Sequence, residues 1–252
     1  MPNTYNKIGF LSSSTLKIIA CFFMLIDHVG LTFFPEHDIF RILGRIAFPL
    51  FAFLIAEGSR YSRHKLRRFS LIFLIGILFF LFYYIYDGVL YGNIFLTFSL
   101  SILIDNLFYT CKKVALDGSN KIYSMLLFTG FALLLVSIYF LYSIIRFEYG
   151  FFGMILPVLI NLTNFKDIDA CTRLKKLDNH TIKLIFTLIG MILLSIDGNL
   201  GVIQYYCLLS IIPLVFYNGK PGIKKLKYAF YIFYPAHLVI IEGVAILLSL
   251  LQ

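Results

Sequence analysis

The chain has 252 residues, of which 60% are hydrophobic and 18% aromatic, with only 14% charged. A soluble domain carries about 25% charged residues, so this chain has too few to wet its own surface. That excludes a soluble enzyme, a secreted disulfide scaffold and a disordered tail. The formal net charge of +9 would suggest nucleic acid in a soluble protein, but in a membrane protein it is tested first as topology.

Nine apolar stretches follow one another, at 16–34, 39–59, 69–86, 89–109, 122–145, 149–163, 182–197, 200–217 and 228–250. They are too long, and alternate too little, for barrel strands, so the expected fold is an all-α transmembrane helix bundle forming one domain over residues 1–252. Only Lys7 precedes the first stretch and no small-residue cleavage site follows it, so it is read as a retained span and not as a signal peptide. The fourth stretch is interrupted by Thr97, Ser99, Ser101 and Asp105. The sixth is short enough to be re-entrant, and the pair around Asn199 could form one broken helix.

Charge orients the spans. With the N-terminus cytoplasmic, segments 1–17, 60–68, 111–121, 164–183 and 218–227 lie inside and hold 19 of the 22 Lys and Arg residues. The exceptions are Arg41, Arg45 and Arg146, while the outer turns carry Glu36, Asp38, Asp87, Glu148 and Asp197. This polarity satisfies the positive-inside rule with about nine spans, the N-terminus cytoplasmic and the C-terminus outside. The expected location is the cytoplasmic (inner) membrane. The basic charge is thereby used as topology, and no nucleic-acid partner is expected. Cys21, Cys111, Cys171 and Cys207 form no C-x-x-C pair. They read as free thiols, and no metal is expected.

Ionisable groups inside apolar spans cost about 2.5–3.5 kcal/mol each at the helix centre and are functional by default. Asp27 and His28 stand in the first span, Arg45 in the second, Glu57 near its inner end and His237 in the last. At 1.5 Å per residue His28 lies about 18 Å from the cytoplasmic end of its span. His28, Arg45 and His237 therefore fall in one layer, between the middle and the outer third of the bilayer. Gly44 permits close approach of another helix. Pro49 cannot donate to the Arg45 carbonyl and should kink the second span there. Pro235 frees the Tyr231 carbonyl in the same way, and Tyr234 shares a helix face with His237.

Each of these residues also has an ordinary reading. A membrane histidine can be an interhelical hydrogen-bond partner, Asp27 a structural acceptor, and Arg45 a residue snorkelling to the outer interface. Glu57 reads as an interfacial partner for the basic loop, Asp105 as a group near an inner helix end, and Glu242 stays unassigned. His37, His64 and His180 read as solvated loop residues. The cluster Arg60, Arg63, Lys65, Arg67 and Arg68 suits anionic lipid headgroups as well as a phosphate ligand.

The strings LKIIACFFMLIDHVG (16–30), FRILGRIAFPLFAFLIAEGSRYSR (40–63) and FYIFYPAHLVII (230–241) together resemble the TraX family. That family is named for the conjugation protein that acetylates the N-terminus of F-type pilin. It is grouped with membrane acyltransferases marked by a histidine in the first span and an arginine at the start of the second. The resemblance implies acyl transfer from acetyl-CoA, with the family's histidine at His28, its arginine at Arg45 and the C-terminal YP-x-H at His237. Asp27 joins this catalytic set less directly. The residue types suit that chemistry. A neutral imidazole can act as base, and a fixed cation can steady an oxyanion or hold the donor. Tyr234 with Arg60, Arg63, Arg67 and Arg68 is the expected donor-binding set. The expected partners are the acyl-CoA donor, membrane lipid, and an acceptor that is a protein N-terminus or a surface glycan. A transporter or flippase is the rival expectation, since carriers also bury His, Asp and Arg at mid-depth.

Overall fold

The computed structural model describes residues 9–118, 120–168, 172–196, 201–223 and 229–251. Lys7, Cys171, Asp197, Asn199, Lys224, Lys225 and Lys227 lie outside the described residues. The chain is mostly helical: α1 (Ser13–Phe33), α2 (Asp38–Gly44), α3 (Ala47–Tyr61), α4 (Lys65–Asp87), α5 (Ile94–Leu116), α6 (Lys121–Ile144), α7 (Gly150–Ile160), α8 (Thr172–Lys175), α9 (His180–Ile196), α10 (Ile211–Val215) and α11 (Ala229–Leu250). A tighter 3-10 segment, Val202–Ser210, leads into α10. The only regular strands among the described residues are β1 (Tyr91–Gly92) and β2 (Arg146–Phe147), a two-residue parallel pair.

Among the described residues six helices are long and apolar enough to cross a membrane: α1, the combined α2–α3 stretch, α4, α5, α6 and α11. The other three apolar stretches form shorter elements at Gly150–Ile160, His180–Ile196 and Val202–Val215. At 1.5 Å per residue the first of these is about 16 Å long, roughly half the hydrocarbon thickness. Three of the long helices, α1, α5 and α6, begin on polar caps. Ser12 accepts from the Thr15 amide at 3.2 Å, and Asn93 accepts from the Phe95 and Leu96 amides at 3.0 and 3.3 Å. The Asn93 amide group also donates to the Gly76 carbonyl at 2.8 Å, tying the start of α5 to α4. That cap explains why the fourth span starts at Ile94 instead of 89, and the helix continues to Leu116 through Lys112 and Lys113.

The contacts divide the chain into two compact units, one of Met1–Leu54 with Leu200–Gln252 and one of Ile55–Asn199. In the first, α1 packs against α2 and against α11. Leu11 bridges Tyr217, and the Ser13 amide donates to the Lys220 carbonyl at 2.8 Å. In the second, α5 packs on α4, α6 and α7, and α7 packs on α9, around a core of Leu96, Ile104, Ile138, Phe147, Met154 and Val158. The apolar faces of α4 and α6 are almost wholly bare, as expected of helices solvated by lipid.

Candidate functional site

The first unit holds four of the five flagged residues: Asp27 and His28 on α1, Arg45 at the end of α2 and His237 on α11. α1 and α2 run antiparallel at close range because two glycines remove side chains from the seam. A Cβ on Gly30 would lie 2.1 Å from that of Phe40, and one on Gly44 would lie 2.1 Å from an Asp27 carboxylate oxygen. The helix breaks after Gly44. The Arg45 amide is shared between the Arg41 and Ile42 carbonyls, the Ile46 amide turns back to Leu43, and α3 begins at Ala47. Pro49, with no N–H for the Arg45 carbonyl, enforces the restart. Arg45 is thus held at a bend, buried, with its Nε donating to the Arg41 carbonyl at 3.2 Å.

Asp27 is the centre of the polar seam. Its carboxylate accepts from Arg45 Nη2 at 2.9 and 3.1 Å and from Arg41 Nη1 at 2.8 Å. Two guanidiniums on one carboxylate satisfy that buried anion and leave a net positive charge beside His28. Asp27 therefore stands as a counter-ion. Arg41 was not singled out from sequence because it lies near the outer turn, where a cation reads as a headgroup anchor. Its i, i+4 spacing from Arg45 was the available signal.

His28 turns the other way, toward α11. Its Nδ1 lies 2.9 Å from the Met24 carbonyl and 3.2 Å from His237 Nε2. The rings meet edge to face with centres 4.9 Å apart. His237 Nδ1 in turn lies 2.8 Å from the Phe233 carbonyl. A carbonyl only accepts, so each Nδ1 carries a proton. His237 Nε2 then presents a lone pair to the His28 N–H, and His28 Nε2 is left as a lone pair without a protein donor among the described residues. The His237 ring is clamped by stacking on Phe233 at 5.0 Å and by the edge of Tyr234 at 5.6 Å. Of the expected donor-binding set, Tyr234 thus belongs beside His237.

The four arginines of that set lie in the second unit. Arg60 and Arg63 line a cleft, Arg67 is exposed, and Arg68 Nη2 donates to the Ile55 carbonyl at 3.0 Å with its guanidinium against Gly58. Arg60 makes a bidentate pair with Asp178 at 2.6 and 2.7 Å.

Other sequence readings in this unit change. His180 is buried, not solvated. Its neighbours Asp178 and Lys183 are drawn inward by Arg60 and by Glu57, so the end of the 164–183 segment is packed. Glu57 pairs with Lys183, at 2.5 Å with both residues buried, and its charge also attracts Arg60 at the start of the basic cluster. Asp105 is buried and accepts from Asn161 Nδ2 at 2.9 Å. These partners are 56 to 126 positions apart in the chain, beyond any local spacing rule. Cys21, Cys111 and Cys207 are buried free thiols. Among the described residues no three His, Cys, Asp or Glu side chains converge as a metal site would need.

No solved structure matches the chain. A Rickettsia prowazekii protein, the uncharacterized protein RP591, is 44% identical over 62 residues, which is 25% of this chain and 24% of that protein. The probable fimbrial assembly protein FimC (serogroup H1) of Dichelobacter nodosus is 23% identical over 256 aligned positions, covering 91% of this chain and 94% of its own. The family described as TraX protein matches residues 12–245. That match takes in the Asp27–His28 string, the Gly44–Arg45 break and the His237 helix together, and the chain belongs to the TraX family.

Proposed function

We propose that this protein is a membrane-embedded acyltransferase that moves an acetyl group from acetyl-CoA to an amine or hydroxyl acceptor. The observation that carries the reading is the imidazole pair. His28, held through Nδ1 by the Met24 carbonyl and His237, presents Nε2 as a base in a fixed tautomer. As the acceptor nitrogen or oxygen attacks the thioester carbonyl, His28 Nε2 takes its proton. The new bond to the acetyl carbon forms, the C–S bond breaks, and the departing CoA thiolate recovers the proton from the imidazolium. The excess positive charge of Arg41 and Arg45 over Asp27 is suited to the oxyanion or to the donor. Asp27 positions the two cations and handles no proton.

The acceptor we favour is the N-terminus of a fimbrial or pilin-like subunit, with a surface glycan as the other candidate. The likeness to a probable fimbrial assembly protein and the membership of the TraX family support the first. We further read the chain as an inner-membrane protein with nine crossings, the N-terminus cytoplasmic and the C-terminus outside. The three shorter apolar elements then supply the crossings beyond the six long helices.

The test is an acetylation assay with purified full-length protein, labelled acetyl-CoA and an acceptor peptide with a free N-terminus. His28→Ala should lower turnover by about 10²–10⁴-fold, the contribution of a positioned base. Wild-type turnover by that variant refutes the assignment.

A further inference from the structure

The second unit contains a cleft of about 380 Å³, within the size range of small-molecule and cofactor sites. Its ionic wall is made by Arg60, Arg63, Lys65, Lys113, Lys166 and Asp167. Arg60 is neutralised by Asp178. The other four cations face one carboxylate, and among the described residues none of them has a carboxylate within 4.0 Å. Like charges gathered round one concavity repel, and the low-dielectric wall strengthens that repulsion.

Two of these cations are also held in place. Lys65 Nζ sits 4.4 Å from the centre of the Tyr109 ring, and Lys166 Nζ sits 4.7 Å from that of Tyr61. The Tyr109 hydroxyl donates to the Lys166 carbonyl, and Asn164 Oδ1 accepts from the Lys166 amide at 3.1 Å. Asp167 follows with a φ of 58°, a left-handed conformation that a non-glycine residue adopts only at a cost. Three parts of the chain therefore bring an excess of positive charge to a nucleotide-sized space: the α3–α4 junction, α5 and the 164–167 turn.

We propose that this cleft binds the phosphate groups of a phosphorylated ligand, bridged among Arg63, Lys113 and Lys166. Two sources offer this chemistry, the adenosine 3′,5′-bisphosphate end of the CoA donor and an anionic phospholipid headgroup. The first rests on the acyl-transfer reading above, and the second does not. Lys113 and Lys166 extend the basic cluster read from sequence, whereas Arg67 and Arg68 fall outside the lining.

The experiment titrates detergent-purified full-length protein with adenosine 3′,5′-bisphosphate in a calorimeter. Native mass spectrometry of the same samples reads any retained anionic phospholipid. Arg63→Ala and Lys113→Ala alter exposed side chains. Each should weaken bisphosphate binding by about tenfold or more, the effect of losing a charge-assisted contact. Lys121→Ala, which alters an exposed cation outside the lining, should leave it unchanged. Phospholipid retained by the wild type and lost in Arg63→Ala and Lys113→Ala, without bisphosphate binding, upholds the site with lipid as its source. If neither bisphosphate affinity nor lipid retention differs between the wild type and those two variants, the proposal is overturned. His28→Ala separates the two readings. Bisphosphate binding at wild-type strength, with no acetyl transfer by any form of the protein, defeats the transferase and spares the cleft. Acetyl transfer that survives in Arg63→Ala and Lys113→Ala with unaltered bisphosphate binding does the reverse.

Discussion

His28 and His237 are 209 positions apart, and their contact decides which imidazole nitrogen can work as a base. The Phe233 carbonyl forces the proton of His237 onto Nδ1, so its Nε2 accepts from His28 and keeps the His28 proton off Nε2. On this argument His237 is a positioning residue, acting through its neighbour. His237→Ala should lower kcat by about 10–100-fold, the usual scale for losing an orienting partner, with KM for acetyl-CoA little changed. His237→Gln restores an acceptor oxygen for the His28 N–H and should recover part of that loss. Steady-state kinetics of the two variants decide the matter. An equal effect of both, confined to KM, would make His237 a substrate contact instead. At this scale the sequence was informative wherever a residue was expensive in its own surroundings, as His28, Arg45 and His237 are in apolar runs. It was silent where a residue drew its meaning from a distant partner. Lys183 looks like a loop cation until Glu57 is placed beside it, and Asn161 looks like a helix end until it bonds Asp105 and the Ala56 carbonyl.

Among the elements, the seam between α1 and α2 sets the geometry of the polar centre. The bend at Arg45 was legible from Pro49, and the close approach was legible from Gly44. The break itself, with α2 only seven residues long, needed the backbone hydrogen bonds to be seen. A methyl group on Gly44 would stand 2.4 Å from the Asp27 Cβ as well as 2.1 Å from its oxygen. Asp27 cannot swing away, because Arg41 and Arg45 grip its carboxylate from both sides. Gly44→Ala should therefore destabilise the protein by about 1–3 kcal/mol, the usual cost of overpacking. Gly130→Ala on α6 is the matched control, with nothing within 4 Å of the added carbon. It should be neutral or stabilising by up to about 1 kcal/mol, since alanine is the better helix former. Thermal melts of both variants in one detergent give the comparison. A Gly44→Ala melt at or above that of Gly130→Ala would mean the seam is looser than its glycines imply.

For the whole molecule the first unit bears on the parity of the membrane crossings. α1 and α11 lie side by side and run the same way. Lys17 near the start of α1 sits over the ring of Phe230 near the start of α11, and His28 further along α1 meets His237 further along α11. The segment leading toward α11 is tied to the same end, since Ser14 Oγ donates to the Pro221 and Ile223 carbonyls and Leu11 pairs with Tyr217. If the first and last spans point the same way, the chain crosses an odd number of times. Six crossings, one for each long helix, would leave both termini on the same side and would put the basic segments 164–183 and 218–227 outside, against the positive-inside rule. The nine crossings proposed above would satisfy both the parity and the charge, with α7, α9 and the Val202–Val215 stretch as the three short crossings. Such elements are tolerated at membrane depth when protein covers them. Single cysteines introduced at Glu36, Gly88 and Leu251, in a background with the native cysteines replaced, should react with a membrane-impermeant maleimide added to intact spheroplasts. Cysteines at His64, Asp117 and Asn218 should react only after permeabilisation. Labelling of Leu251→Cys only after permeabilisation, with Glu36→Cys still labelled from outside, would set α1 and α11 antiparallel and take apart the His28–His237 pair on which the proposed chemistry stands.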